Sequence, residues 1–227
     1  MDALPAGLHA LADEICTVGR SLFERGYVHA TAGNISVRVP ADAGGGVLIT
    51  PTDACLGRLL PEALAWVDAQ GVQRAGRPAS KTLALHRRIY AAAPEAGSVI
   101  HTHGTHLVAL TLAGVWRAED IVPPITPYFV MKVGHVPLIP YHRPGDPRVA
   151  DLVAARIEAA AARGTPLRAV MLDRLGPNAW AASPGEASAV LEELEETARL
   201  WLASGRHATP LTEVQIDELR RAFGARW

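Results

Sequence analysis

Apolar residues recur along this chain with two alternating periods, one helical and one of strands, and the changes between them mark out the elements. Over residues 6–26, Leu8, Leu11, Ala12, Ile15, Val18, Leu22 and Phe23 return every three or four positions and stop at Gly26, which predicts an amphipathic helix ended by a glycine. A loop of small polar residues then enters an alternating stretch at 35–39, and Gly44, Gly45 and Gly46 turn it into a second at 47–50, so an antiparallel hairpin is expected. Residues 64–68 read as a strand that turns at Ala69–Gly71 toward Val72 and Gln73. Ser80 is the expected N-cap of a helix carrying Leu83, Leu85, His86, Ile89 and Tyr90, closed by Pro94. Residues 98–103 read as a strand and 106–112 as a helix. Pro123, Pro124 and Pro127 stiffen the next stretch, and 136–141, with prolines at its ends, is expected at a sheet edge. Helices at 147–163, 184–203 and 213–223 enclose short strands at 169–172 and 179–182. The order predicts a single α/β domain over 1–227, a sandwich of helices around a mainly antiparallel sheet.

Composition narrows the class. With 227 residues, of which 49% are hydrophobic, the chain can fill a sizeable core. Its net charge of −1 comes from scattered acids and bases, giving no electrostatic footprint for a nucleic-acid backbone or an anionic membrane. No stretch approaches a membrane span, and the N-terminus lacks the basic and apolar regions of a signal peptide, so a cytoplasmic protein is expected. Two cysteines, Cys16 and Cys55, are too few for a disulfide framework.

The chemistry concentrates in Ser98–Val99–Ile100–His101–Thr102–His103. If this run is extended, the two-residue period brings His101 and His103 to one face, where both imidazoles can grip one ion; the same pair would also be compatible with buried, hydrogen-bonded histidines. Antiparallel pairing of the first hairpin brings Gly33–Asn34 and Thr52–Asp53 to the same end, where a backbone nest could receive an anion, although Gly33–Asn34 also makes an ordinary turn. Ser80 and Lys81 at a helix start are a further phosphate-binding possibility. His86 reads as structural, and Glu192, Glu193, Glu195 and Glu196 as a solvated helix face supported by Arg199.

Thr31–Ala32–Gly33–Asn34–Ile35–Ser36, Leu48–Ile49–Thr50–Pro51–Thr52–Asp53, Pro78–Ala79–Ser80–Lys81, His101–Thr102–His103 and Glu192–Glu193–Leu194–Glu195, in this order and spacing, resemble the class II aldolase/adducin family over residues 8–203. Ser80–Lys81, Thr126–Pro127–Tyr128, the stretch 133–141 and Arg143–Pro144–Gly145–Asp146 look most similar to its 3-oxo-tetronate 4-phosphate decarboxylases. The resemblance implies a three-layer sandwich and a lyase acting on a small, phosphorylated oxo-acid or sugar acid. Phosphate would be held by Gly33, Asn34, Thr52, Asp53, Ser80 and Lys81. A divalent metal, usually zinc with iron or manganese as alternatives, would sit on His101 and His103. Lys81, the residue at 82 and Tyr128 would take part in catalysis, Tyr128 at a neighbouring subunit of a homotetramer. Such a metal would hold the enediolate left when carbon dioxide departs, because decarboxylation needs an electron sink more than a base.

Two positions depart from the family pattern. Thr82 stands where a glutamate is expected, and Leu175, in Arg174–Leu175–Gly176–Pro177, stands where a third metal histidine is expected. Three readings follow. A replacement ligand, His142 first and His29 or Asp173 after it, completes the metal set; or the chemistry has changed on the same fold, through Lys81 or Tyr128 or as an iron-dependent oxygenase; or the domain binds without catalysing.

Overall fold

The structure, a computed structural model, describes residues 3–227. Its framework is an eight-stranded sheet built from β1 (Asn34–Arg38), β2 (Val47–Ile49), β3 (Ala65–Val67), β4 (Gln73–Ala75), β5 (Ser98–His101), β6 (Leu138–Ile139), β7 (Ala169–Leu172) and β8 (Gly176–Ala181), in the order β4-β3-β2-β1-β5-β8-β7-β6. All neighbours are antiparallel except β6 and β7. The expected hairpin forms with Val37 opposite Leu48, and 138–139 takes the expected sheet edge.

Alternation along the strands sorts the two faces. Ile35, Val37, Leu48, Ile100, Met171 and Ala179 enter a core with α1 (His9–Glu24), α3 (Thr105–Ala113) and α5 (Pro184–Ala203). Val47, Ile49, Val99, Val170 and Trp180 pack on the opposite face against α2 (Leu83–Ala92) and α4 (Arg148–Ala162). The sheet is therefore covered on both sides, giving the three-layer α/β sandwich. A last helix, α6 (Glu213–Phe223), opens with Thr212 and Gln215 as a reciprocal capping box and rests Ile216 and Leu219 on Val130.

Three local expectations are corrected. The N-cap of α2 is Thr82 and not Ser80: the amide of Leu83 donates to the Ser80 carbonyl, so one turn of chain precedes the helix and the Ser80 hydroxyl meets Thr82 Oγ1 at 2.9 Å. The proline-stiffened stretch leads into a π-helical turn, Phe129–Val133. The glutamate cluster on α5 is not a solvated face: Glu195 is buried, Glu192 pairs with Arg25 and Glu193 accepts from Thr126, while Glu196 alone meets Arg199.

Cys16 and Cys55 are both free thiols. Burial, helped by the charge of Asp13, pushes the Cys16 thiol up to about 11, whereas Cys55 is partly open to solvent. Since the thiolate is the reacting species, iodoacetamide at pH 8 is expected to modify Cys55 in the native protein and Cys16 only after unfolding. Peptide mass spectrometry reads this directly, and equal native rates at both cysteines would contradict it.

Candidate active site

The site is built where β5 ends. Two glycines set the path of the chain there. Gly33, at φ +83°, lies against the end of β5 so closely that a Cβ would come 2.6 Å from the His101 carbonyl oxygen; Gly176, at φ +139°, approaches from the β8 side, where a Cβ would come 1.9 Å from the Thr102 carbonyl oxygen. No side chain fits at either position, and the close approach lets β1 and β8 flank His101 in register. Asn34 lies opposite His101 on one side and Asn178 on the other.

The backbone around His101 sets its chemistry. Its Nδ1 lies 2.7 Å from the Pro177 carbonyl oxygen, which can only accept, so Nδ1 carries the proton and Nε2 keeps its lone pair. Burial lowers its pKa to about 4, with the neighbouring His103 adding to the shift and the bond to Pro177 opposing it. His103, half-buried, is also shifted down, by burial and then by His29. The two rings lie 5.1 Å apart at 66°, a pair of neutral imidazoles at neutral pH. Behind them Ser36 Oγ bonds His86 Nδ1 at 2.7 Å and the Tyr90 hydroxyl at 2.8 Å. Burial, followed by the nearby His101, holds His86 down to about 3. The expectation of a structural His86 agrees with this placement.

Glu195 supports the same corner from the other face. Its carboxylate accepts from the amides of His106 at 2.7 Å and Leu107 at 3.1 Å and meets His106 Nδ1 at 2.9 Å, capping α3 just after His103. A Cβ at position 104 would lie 2.5 Å from Glu195 Oε2, which accounts for Gly104.

The three loops that the sequence offers for an anion are tied together by backbone bonds. The Thr50 amide donates to the Ile35 carbonyl, Thr52 to Pro78, and Ser80 back to Thr50. Gly33–Asn34, Thr52–Asp53 and Ser80–Lys81 are thus tied at one end of the sheet, with Asp53 solvent-exposed at φ +53°. Beside them lies a cavity of about 160 Å³ between the N-terminal ends of α2 and α4, bordered by Lys81, Thr82, His101, His142, Arg143 and Leu175. Lys81 and Arg143 have no ion-pair partner among the described residues, so both cations are free to meet an anionic ligand. Of the remaining expected residues, Tyr128 is 63% exposed and does not border this cavity. His142 borders it with Nδ1 turned 2.7 Å from the Pro140 carbonyl.

Sequence reasoning missed Asn178 and Glu195. Asn178 is fully buried beside His101, with neither amide atom bonded to protein, and Asn34 Oδ1 is likewise unpartnered, so the row on both sides of His101 has hydrogen-bonding capacity to spare. The two-residue strand period could have placed Asn178 on a face, but nothing local placed it beside His101.

With this fold and this site, the chain belongs to the Class II Aldolase and Adducin N-terminal domain family, which it matches over residues 13–202. Among its relatives, the 3-oxo-tetronate 4-phosphate decarboxylase of Cupriavidus necator is 54% identical over 96% of this chain and 97% of its own length. The protein of the same name from Escherichia coli K12 is 39% identical over 93% and 95%. The crystal structure of YgbL from Klebsiella pneumoniae superposes with a TM-score of 0.83 at 40% identity, covering 93% of this chain and 98% of that one. The family resemblance and the expected fold are borne out, and the names of these relatives agree with the expectation of a carbon–carbon lyase.

Class II aldolases generally depend on a divalent metal. In this chain the donor set is incomplete for one. His101 and His103 supply two neutral imidazoles, but among the described residues no three His, Cys, Asp or Glu side chains form a metal-sized group. Catalytic zinc sites rest on three protein ligands plus an open position. The residues present do not fit such a site.

Proposed function

We propose that this chain is a carbon–carbon lyase that decarboxylates a small phosphorylated 3-oxo sugar acid. The observation that carries the reading is the tying together of three loops next to a cavity that the third of them enters through Lys81, a lysine without an ion-pair partner among the described residues, and that His101 also borders, in a chain so similar to decarboxylase-named relatives. The phosphate binds the loops at Gly33, Asn34, Thr52 and Ser80, with Asp53 taking part through its backbone amide because a carboxylate would repel the anion. The acid end reaches the cavity.

Loss of carbon dioxide breaks the bond between the carboxylate and C2, and its electron pair passes to the 3-oxo oxygen as an enolate. Lys81 provides the positive charge nearest that developing oxyanion, in a largely apolar cavity that strengthens the attraction. The Nε2 lone pair of His101 accepts the hydrogen bond of the C2 hydroxyl and fixes which face of the enolate is exposed. A proton from solvent water then adds to C2 in place of the departed carbon dioxide, and the enolate collapses back to the ketone. Thr82 contributes a hydroxyl at the mouth of the cavity, and Tyr128, exposed on one chain, serves the site of an adjacent subunit in a tetramer.

The decisive experiment is carbon dioxide release from phosphorylated 3-oxo tetronates under anaerobic conditions. Release without oxygen supports the reading, cleavage to a carbonyl fragment instead would assign an aldolase, and oxygen uptake an oxygenase. Asn34→Ala and Ser80→Ala are expected to weaken a phosphorylated ligand by about tenfold or more, roughly one charge-assisted hydrogen bond, while leaving its unphosphorylated analogue little changed. Isothermal titration with both ligands checks this, and equal losses would remove phosphate from these loops.

A further inference from the structure

We propose that the His101–His103 pair does not retain a divalent ion by itself, and that the side chain at position 175 is what withholds the missing donor. Leu175 is bound to the histidine pair by its two successors. Gly176 packs so that a Cβ on it would lie 3.2 Å from His103 Cα, and the Pro177 carbonyl accepts from His101 Nδ1 at 2.7 Å. Leu175 itself borders the cavity together with His101. Position 175 therefore shares the cavity with His101 and directly precedes the backbone that packs on the His103 segment, and a leucine there offers methyl groups and no lone pair.

The other polar groups at the cavity do not make up the deficit. The Thr82 hydroxyl is engaged with Ser80 at 2.9 Å. His142 has its Nδ1 on its own turn, and Asp173, although it borders the cavity, does not form a three-donor group with the pair. Removing even an outer partner of a metal ligand costs about 10–100-fold in affinity, and a missing ligand costs more. The inference stands on donor geometry and is independent of the lyase reading, because its readout is bound metal and not turnover.

The untagged full-length chain, stripped with chelator, would be equilibrated with zinc buffered over a range of free concentrations. Bound metal is then counted by mass spectrometry, with cobalt absorption reporting the coordination. Wild type is expected to stay substoichiometric at free zinc concentrations where Leu175→His holds about one equivalent, a gain of more than ~100-fold. His101→Ala in the Leu175→His background is expected to lose it again. One equivalent in wild type at those concentrations, lost in His101→Ala, would overturn the proposal. So would a folded Leu175→His that gains nothing, with circular dichroism and thermal melting matching wild type. If the histidine prevents folding, Leu175→Cys places a smaller donor at the same position and is read by the same two criteria.

Discussion

Replacing Lys81 by methionine is expected to lower kcat by about 10²–10³-fold, with KM changed only a few-fold, the usual cost of removing one preorganised stabiliser of a developing oxyanion. The direction follows from the charges around the cavity. His101 and His103 are both pushed toward the neutral form, and His101 presents a lone pair, so neither offers a cation to an enolate. Lys81 and Arg143 are the cations bordering the cavity, and Lys81 stands with Thr82 at the N-terminal end of α2, next to the loops proposed to hold phosphate. Methionine keeps the length and apolar stem of lysine and removes only the ammonium, so packing is little disturbed. Lysine 81 has two candidate partners, phosphate and enolate, and steady-state kinetics on phosphorylated and unphosphorylated 3-oxo acids separates them. An enolate partner makes kcat fall on both substrates. A loss confined to KM for the phosphorylated substrate would assign Lys81 to phosphate and sink the proposed role.

Glu195→Ala is expected to destabilise the fold by about 3 kcal/mol, seen as a drop in melting temperature of roughly 10 °C for a chain of this size. Glu195 is 6% exposed, and its carboxylate accepts from two amides at the start of α3. Alanine leaves those N–H groups buried without a partner at the positive end of a helix, and removes the charge that complements it. Glu195→Gln keeps one acceptor oxygen and should recover part of the loss. Because the capped turn begins one residue after His103, lost activity should accompany lost stability. Differential scanning calorimetry on the three proteins tests this, and a change below about 1 kcal/mol in Glu195→Ala would mean that α3 is held by its apolar packing alone.

These effects separate two levels of the molecule. A scaffold positions His101 through neighbours on the two flanking strands, β1 and β8, while a residue far along the chain, Glu195, braces the turn that follows. The site chemistry then depends on which side chains the scaffold delivers, and at 82 and 175 this chain delivers a hydroxyl and a leucine. A fold shared with aldolases is thus compatible with a differently equipped cavity.

The sequence by itself determined the elements whose signal is local. The spacing of Leu8 to Phe23, the alternation of 35–39 and 47–50, and the boundaries of 184–203 and 213–223 all follow from periods of 3.6 and 2 and from proline, glycine and capping residues within a few positions. The positions of His101 at a strand end and of the loops at 33–34 and 52–53 at one end of the first hairpin were legible for a related reason, since local alternation and turn residues mark where strands end. Tertiary structure alone decided the rest. Glu195 sits in a run of glutamates that reads as a solvated face in sequence, yet it crosses 89 residues to cap His106. Pro177 lies 76 residues from the imidazole whose proton it fixes, and Asn178 reaches His101 only because β5 and β8 pair in that register. Long-range contacts such as these carry no periodic signal, since the residues at each end satisfy no local preference. Their positions are set by how the sheet orders its strands and by which backbone segments can approach at Gly33 and Gly176.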